Sequence, residues 1–249
     1  MRRGDMAAIE QWGVPLAVLG LVVATLVMAS IVKKQQAHQA TVRAAVRKHE
    51  KVLLELEGAL SDLGPVPLSR ELRVAVRAEI LSRWQRIQSL YRRYPGIAER
   101  VAAAEAGVAG ETAPVTDSVG PIETEQAFRT LLQALDALSE HFRLGPLLQS
   151  IPQDVRGVFQ RELGERRAEA VARFHLVQSS RLEAEGDITR ARAHLTTLIQ
   201  VLRSRGPSTD FVRELYVEAE TALDAMTDRQ IGAAFGESAG KSDSGDDTA

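Results

Sequence analysis

The sequence predicts an all-α protein with one N-terminal transmembrane helix followed by a soluble bundle of helical hairpins. Three observations lead to this prediction. Residues 14–32 contain no charged side chain, apolar residues beyond them recur every three or four positions, and aromatic residues make up only 4% of the chain. Recurrence at these intervals places apolar side chains on one face of a helix, and an apolar content that is mostly Ala, Leu and Val favours helix packing over sheet cores.

The apolar run VPLAVLGLVVATLVMASIV has the length of a membrane span. At about 1.5 Å per residue, a helix over these positions matches a hydrocarbon core of about 30 Å. Trp12 marks one boundary, where an indole ring favours the interface, and Lys33 and Lys34 mark the other.

Two alternatives are a buried core helix and a cleaved signal peptide. A core helix seldom runs this far without a polar residue. Residues 27–29 resemble a small-residue cleavage site, but the apolar run exceeds a usual signal-peptide core, and Asp5 and Glu10 dilute the positive N-terminus. We therefore predict a short tail at 1–12 and a retained transmembrane helix at 13–34.

Positive charge is stronger on the C-terminal side of this segment. Arg2 and Arg3 on the N-terminal side are offset by acidic residues, whereas the C-terminal side carries Lys33, Lys34, Arg43, Arg47, Lys48 and Lys51. The positive-inside rule then predicts a cytoplasmic domain on a single-pass protein of the bacterial cell inner membrane. A periplasmic domain is the alternative, because large domains can translocate despite their charge.

A face of small residues, including Gly20 and Ala24, follows the predicted membrane helix. Small residues four positions apart let two membrane helices approach closely, which would allow a homodimer. The alternative is the ordinary use of glycine and alanine in membrane helices.

The rest of the chain divides at a stretch without periodicity. We predict a front helical half at 35–106, a flexible linker at 107–121, a back helical half at 122–231 and a disordered acidic tail at 232–249. The first helix of the front half continues out of the membrane and carries heptad-like apolar residues from Val42 to Leu63, typical of a coiled coil or of packing within one chain.

The helix predicted at 69–94 is rich in arginine. It contains seven arginines and two glutamates. Arg70, Arg73 and Arg77 share the face opposite the apolar stripe, and Trp84 and Tyr91 lie toward the edge of that stripe. This pattern predicts an interaction patch for anionic lipid, an acidic protein or nucleic acid. Nucleic acid is the least favoured partner because the net charge is -2, and a solvated face remains the alternative.

The sequence offers no catalytic, cofactor-binding or metal-binding motif. Cysteine is absent, which excludes thiolate catalysis and disulfides. The five histidines lack both the Glu-x-x-His and the His-x-x-x-His spacing. Residues 236–242 imitate a phosphate-binding loop, but the first glycine is one residue too close and no strand precedes it. We therefore expect no enzyme activity, no cofactor and no metal.

The segment Phe174–Leu202 resembles a single tetratricopeptide repeat. The matching positions are Ser179, Leu182, the turn Gly186-Asp187, Ile188, Ala191 and Leu195, and the departures are Leu198, His175 and the late Pro207. The resemblance implies a helical hairpin within 174–226 that binds a protein partner in a groove between the later helices. The function predicted from the whole sequence is thus a membrane-tethered scaffold or protein–protein interaction module, and the identity of its partner is not predicted.

Overall fold

The computed structural model describes the backbone of residues 4–64, 66–112, 117–144 and 151–240, and the side chains of residues 18–64, 66–112, 117–144 and 151–232. Within these ranges the chain forms helices and no strand, which confirms the predicted all-α class. The helices are α1 (Gly4–Asp62), α2 (Arg70–Leu90), α3 (Ile97–Ala109), α4 (Glu125–Leu144), α5 (Gln153–Ala184), α6 (Ile188–Arg205) and α7 (Asp210–Gly240).

Helix α1 is one continuous element of 59 residues. It is the one helix of the described chain that is long and apolar enough to cross a membrane, with a mean hydropathy of 1.6 in an 18-residue window that is 0% buried. The helix begins at Gly4 rather than near Trp12, because residues 4–11 include good helix formers and Asp5 lies in the favourable first turn. Lys33 and Lys34 lie within it and are exposed.

The C-terminal part of α1 enters the core of the domain. Its heptad-like residues pack against α2 and α4 of the same chain. The buried members are Val46, Leu53 and Leu56, with Leu63 just beyond the helix, and Ala59 is buried beside them. One helix therefore combines an apolar segment of membrane-spanning length with a wall of the helical core.

Helix α2 runs antiparallel to α1. The Trp84 indole N–H donates to Glu57 Oε1 at 3.2 Å, and the Tyr94 hydroxyl donates to Glu50 Oε1 at 2.5 Å, so later residues of this segment meet earlier residues of α1. Ser69 caps α2, because its Oγ accepts the Leu72 N–H at 3.2 Å. The C-terminal end of α2 thus returns toward the apolar part of α1.

Two principal apolar clusters share helix α5. The larger cluster joins α1, α2, α4 and the first half of α5, where Leu163 is 0% exposed. The smaller cluster joins the second half of α5 to α6 and α7, with Ala172 and Leu198 both at 0% exposure. A third group at the far end contains Ala191, Leu195 and Met226.

The predicted hairpin is present between α5 and α6. Gly186 has a φ of 84°, a conformation that glycine adopts without steric cost, and Asp187 caps α6 by accepting the Arg190 N–H at 3.1 Å. Ser179 and Ala191 are buried, as close helix packing requires. These features establish a helical hairpin, whereas its relation to tetratricopeptide repeats stays a prediction.

Two parts of the predicted flexible linker at 107–121 lie against helices of the domain. Helix α3 extends to Ala109, and the Val119 N–H donates to Glu169 Oε1 at 2.9 Å. Arg166 also donates to the Asp117 carbonyl at 3.0 Å. This segment docks because the buried carboxylate of Glu169 on α5 accepts one of its backbone N–H groups. The amino-acid composition of the segment does not predict this contact. Residues 113–116 lie outside the described residues.

The predicted disordered tail starts at residue 232, and helix α7 continues past this boundary to Gly240. Residues 241–249 lie outside the described residues.

Candidate functional site

Three arginines of the predicted interaction patch contact Glu111 of the same chain. Arg77 Nε binds Glu111 Oε2, Arg73 lies 3.6 Å from Glu111 Oε1, and Arg70 Nε donates to the Glu111 carbonyl at 3.2 Å. Glu111 is 8% exposed. These contacts fasten the segment after α3 to the start of α2, and they neutralise part of the charge of this patch, although Arg70 stays exposed.

The two aromatic members of the patch lie elsewhere. Trp84 is 4% exposed and lies under the Arg100 guanidinium, 4.8 Å from the ring centroid. Tyr91 is 46% exposed, and it is fourteen residues beyond Arg77, or about 21 Å along a helix. The five predicted residues therefore do not form one site.

Tyr91 instead lines a groove of about 590 Å³ between α1 and the end of α2. The groove begins at His38, six residues after the apolar segment of α1 ends, and residues of the loop that follows α2 also line it. Its lining residues are His38, Gln39, Val42, Arg43, Val46, Arg47, Leu90, Tyr91, Arg93, Tyr94 and Pro95. We call it the α1–α2 groove.

The groove lies in a strongly basic part of the molecule. Residues 33–49 and residues 80–98 contain nine lysines and arginines and no carboxylate. Arg43, Arg47 and Arg93 are exposed, and none of them forms an ion pair within the ranges that the structure describes. The sequence carries this pattern as two carboxylate-free stretches, but only the antiparallel pairing of α1 with α2 brings them together.

Apolar and aromatic side chains form the wall of the groove. Val46 is 6% exposed, and Val42, Leu90 and Tyr94 are partly buried against the core. The hydrogen bond to Glu50, together with burial, raises the pKa of the Tyr94 hydroxyl, which therefore stays a neutral donor. A basic rim over an apolar wall suits a ligand that has both an anionic group and hydrocarbon.

A smaller groove of about 340 Å³ lies on the same two helices. It is lined by His49, Ser82, Arg83, Gln85, Arg86 and Ser89. Burial and the nearby Arg83 and Arg86 lower the pKa of His49, so that its ring is neutral at pH 7. Arg83 is buried and held by Glu79 at 2.7 Å, which leaves Arg86 as the exposed cation here.

Two histidines that sequence spacing did not connect lie side by side. His175 on α5 and His194 on α6 have their Nδ1 atoms 3.1 Å apart. Phe174 stacks on Phe128 beside them, with ring centroids 4.1 Å apart. Burial and the neighbouring His194 lower the pKa of His175 to about 4. Among the described side chains no group of three or more potential metal ligands is found, and the pair packs the α4–α5–α6 junction.

We expect this pair to make stability depend on pH. The folded-state pKa of His175 lies below the unfolded value of 6.5, so its contribution is fully present above pH 6.5 and is lost as the pH falls toward 4. Allowing for partial exposure, the loss is about 2 kcal/mol. The free energy of unfolding, determined by denaturant titration at pH 7 and at pH 4.5, measures this loss.

The matched variants are His175→Gln and His38→Gln, since His38 is exposed. The first variant should lose less stability than the wild type between the two pH values, and the second should behave like the wild type. An equal loss in wild type and His175→Gln would contradict the prediction.

No family model, curated protein or solved structure matches the chain. The fold and the site define a helical protein with an N-terminal helix of membrane-spanning length and a basic, partly apolar groove next to that helix.

Proposed function

We propose that this chain is a single-pass membrane protein whose helical domain is a non-catalytic scaffold for a protein partner at the membrane surface. The observation that carries the proposal is the continuity of α1. The same helix contains the apolar segment and the buried residues Val46, Leu53 and Leu56. A membrane segment fused to the core in this way would hold the domain at a fixed distance from the bilayer.

The benefit of such an arrangement is local concentration. A domain that is confined to the membrane surface meets partners there at a much higher effective concentration than a free domain does. From Val32 to Val46 the helix rises about 21 Å, so the core of the domain would begin beyond the headgroup layer, at a height that the helix sets. Helices α6 and α7 pack on α5 and on each other, and their exposed surfaces would be open to the partner.

The orientation and the cellular membrane are part of the proposal. The positive residues after Val32 favour a cytoplasmic domain at the inner membrane of a bacterium. A reporter that is active only in the cytoplasm, fused to the C-terminus, should be active. Activity of a periplasmic reporter there would reverse the orientation and leave the anchor intact.

Placing charge in the apolar segment tests the anchor. In Val22→Lys/Leu26→Lys, each lysine at the centre of a membrane helix costs about 2.5 to 3.5 kcal/mol of insertion. The wild type should stay with the membrane pellet after alkaline extraction, and this variant should move to the soluble fraction.

The matched control is Leu54→Lys/Val217→Lys, which places the same charges at residues that are 72% and 54% exposed outside the segment. This control should remain in the pellet. A wild type that is extracted by alkali would refute the anchor. The partner itself would be sought by cross-linking the intact, detergent-solubilised protein, and this experiment also detects a homodimer formed through Gly20 and Ala24.

A further inference from the structure

We infer that the α1–α2 groove binds the phosphate headgroup of an anionic phospholipid from the bilayer that anchors the chain. The inference rests on the proposed membrane anchor and goes beyond it, because it assigns a ligand to a defined groove. The groove joins three properties that such a lipid would require, namely position, charge and an apolar wall.

Position follows from the continuity of α1. The last apolar residue of the segment is Val32, and the groove spans His38 to Arg47 on the same helix. At about 1.5 Å per residue, the groove begins about 9 Å beyond the hydrocarbon boundary and ends about 22 Å beyond it. Since a headgroup layer is about 5 to 8 Å thick, the lower end of the groove lies within one Debye length of the lipid phosphates.

Charge complementarity is concentrated at the rim. Arg43 and Arg47 lie one turn apart on α1, and Arg93 faces them from the loop after α2. A guanidinium group binds phosphate oxygens in a bidentate manner and is more weakly hydrated than an ammonium group, so it suits a site at an interface. The nearest carboxylate along α1 is Glu50, and it already accepts the hydroxyl of Tyr94.

The apolar wall distinguishes a lipid from a small anion. Val42 and Leu90 border the same space as the arginines, and the ring of Tyr91 is 46% exposed beside them. These side chains offer apolar contacts to the glycerol part of a lipid whose headgroup is drawn up into the groove, and inorganic phosphate lacks such a part.

Arg70, Arg73 and Arg77 do not compete for this role. They lie at the opposite end of α2, and Glu111 engages all three. The basic groups available to the bilayer are therefore those of the groove and its surroundings.

The test uses the full chain purified in an uncharged detergent. Phosphatidylglycerol or phosphatidylcholine is added, and native mass spectrometry counts the lipid molecules retained. The wild type should retain phosphatidylglycerol at least tenfold better than phosphatidylcholine. The triple variant Arg43→Gln/Arg47→Gln/Arg93→Gln should bind phosphatidylglycerol about 100-fold more weakly, since each cation near a lipid surface contributes about fivefold.

The control is Arg161→Gln/Arg192→Gln/Arg203→Gln, which removes three exposed arginines from α5 and α6. It should bind phosphatidylglycerol like the wild type. Circular dichroism of all three proteins establishes that they are equally folded, and the comparison of the two lipids on the wild type does not depend on any variant.

Several results would overturn the assignment. These are equal retention of the two lipids by the wild type, equal loss of lipid in both triple variants, displacement of the lipid by glycerol phosphate at equal concentration, and binding of an oligonucleotide in preference to lipid. Alkaline extraction of the same cells reports on the anchor separately. A membrane-embedded protein without lipid preference therefore refutes this inference alone, whereas an extractable protein refutes the proposed function.

Discussion

Replacing Glu169 by alanine is expected to lower the free energy of unfolding by about 3 kcal/mol. The carboxylate is 1% exposed and accepts the Val119 N–H at 2.9 Å and the Arg166 guanidinium at 2.8 Å. Its removal leaves a buried N–H without an acceptor and undocks the segment that joins α3 to α4. Arg166 keeps some access to water, which places the loss at the lower end for broken buried ion pairs.

The variant Glu169→Gln separates the role of the charge from that of the hydrogen-bond acceptor, and Glu214→Ala is the control. Glu169→Gln keeps an oxygen for the Val119 N–H but loses the charge, so we expect about half the effect. Glu214→Ala removes an exposed carboxylate from α7 and should change stability by less than about 0.5 kcal/mol. Urea unfolding followed by circular dichroism measures all three. Equal midpoints for Glu169→Ala and Glu214→Ala would show that the docking contact contributes nothing.

Features that depend on neighbouring residues could be predicted from the sequence. The helical class, the cap at Ser69 and the turn at Gly186-Asp187 are of this kind, because local apolar spacing, a capping hydroxyl and a glycine at positive φ determine them. The uncharged run that precedes Lys33 likewise appears as the apolar part of α1.

Features that depend on distant residues could not be predicted in this way. Arg77 meets Glu111 across 34 positions, and Val119 meets Glu169 across 50. Local periodicity alone predicts the arginines on a free surface and residues 107–121 as a flexible linker. Periodicity carries no information about the distant residues that form hydrogen bonds and ion pairs with these segments. The same limitation hid the contact between His175 and His194.

The α1–α2 groove falls between these two cases. Its charges are visible in the sequence as two stretches without a carboxylate, 33–49 and 80–98. Their meeting requires the two helices to pair in an antiparallel arrangement, which their apolar stripes allow but do not specify. If the charge patterns of α1 and α2 are considered together, they predict the position of the groove. The charge pattern of the Arg-rich helix alone does not.

The two apolar clusters are expected to unfold as one cooperative unit. Helix α5 contributes Leu163 to the first cluster and Ala172 to the second, and Phe128 and Leu132 pack against both. If one cluster unfolds, the residues of α5, Phe128 and Leu132 that also pack in the other cluster become exposed. Local unfolding of either cluster therefore costs additional free energy. Leu163→Ala and Leu198→Ala each remove a fully buried side chain, and each should cost about 2 to 5 kcal/mol.

Trp84 makes the test direct because it lies in the first cluster and Leu198 lies in the second. In a Trp12→Phe background, Trp84 fluorescence and circular dichroism should show one urea transition, and Leu198→Ala should shift both probes equally. Val158→Ala, at a residue 57% exposed on α5, is the control and should shift neither by more than about 0.5 kcal/mol. If Leu198→Ala leaves the Trp84 transition in place, the two clusters unfold independently, and the part of the domain that contains α1 and α2 is stable without α6 and α7.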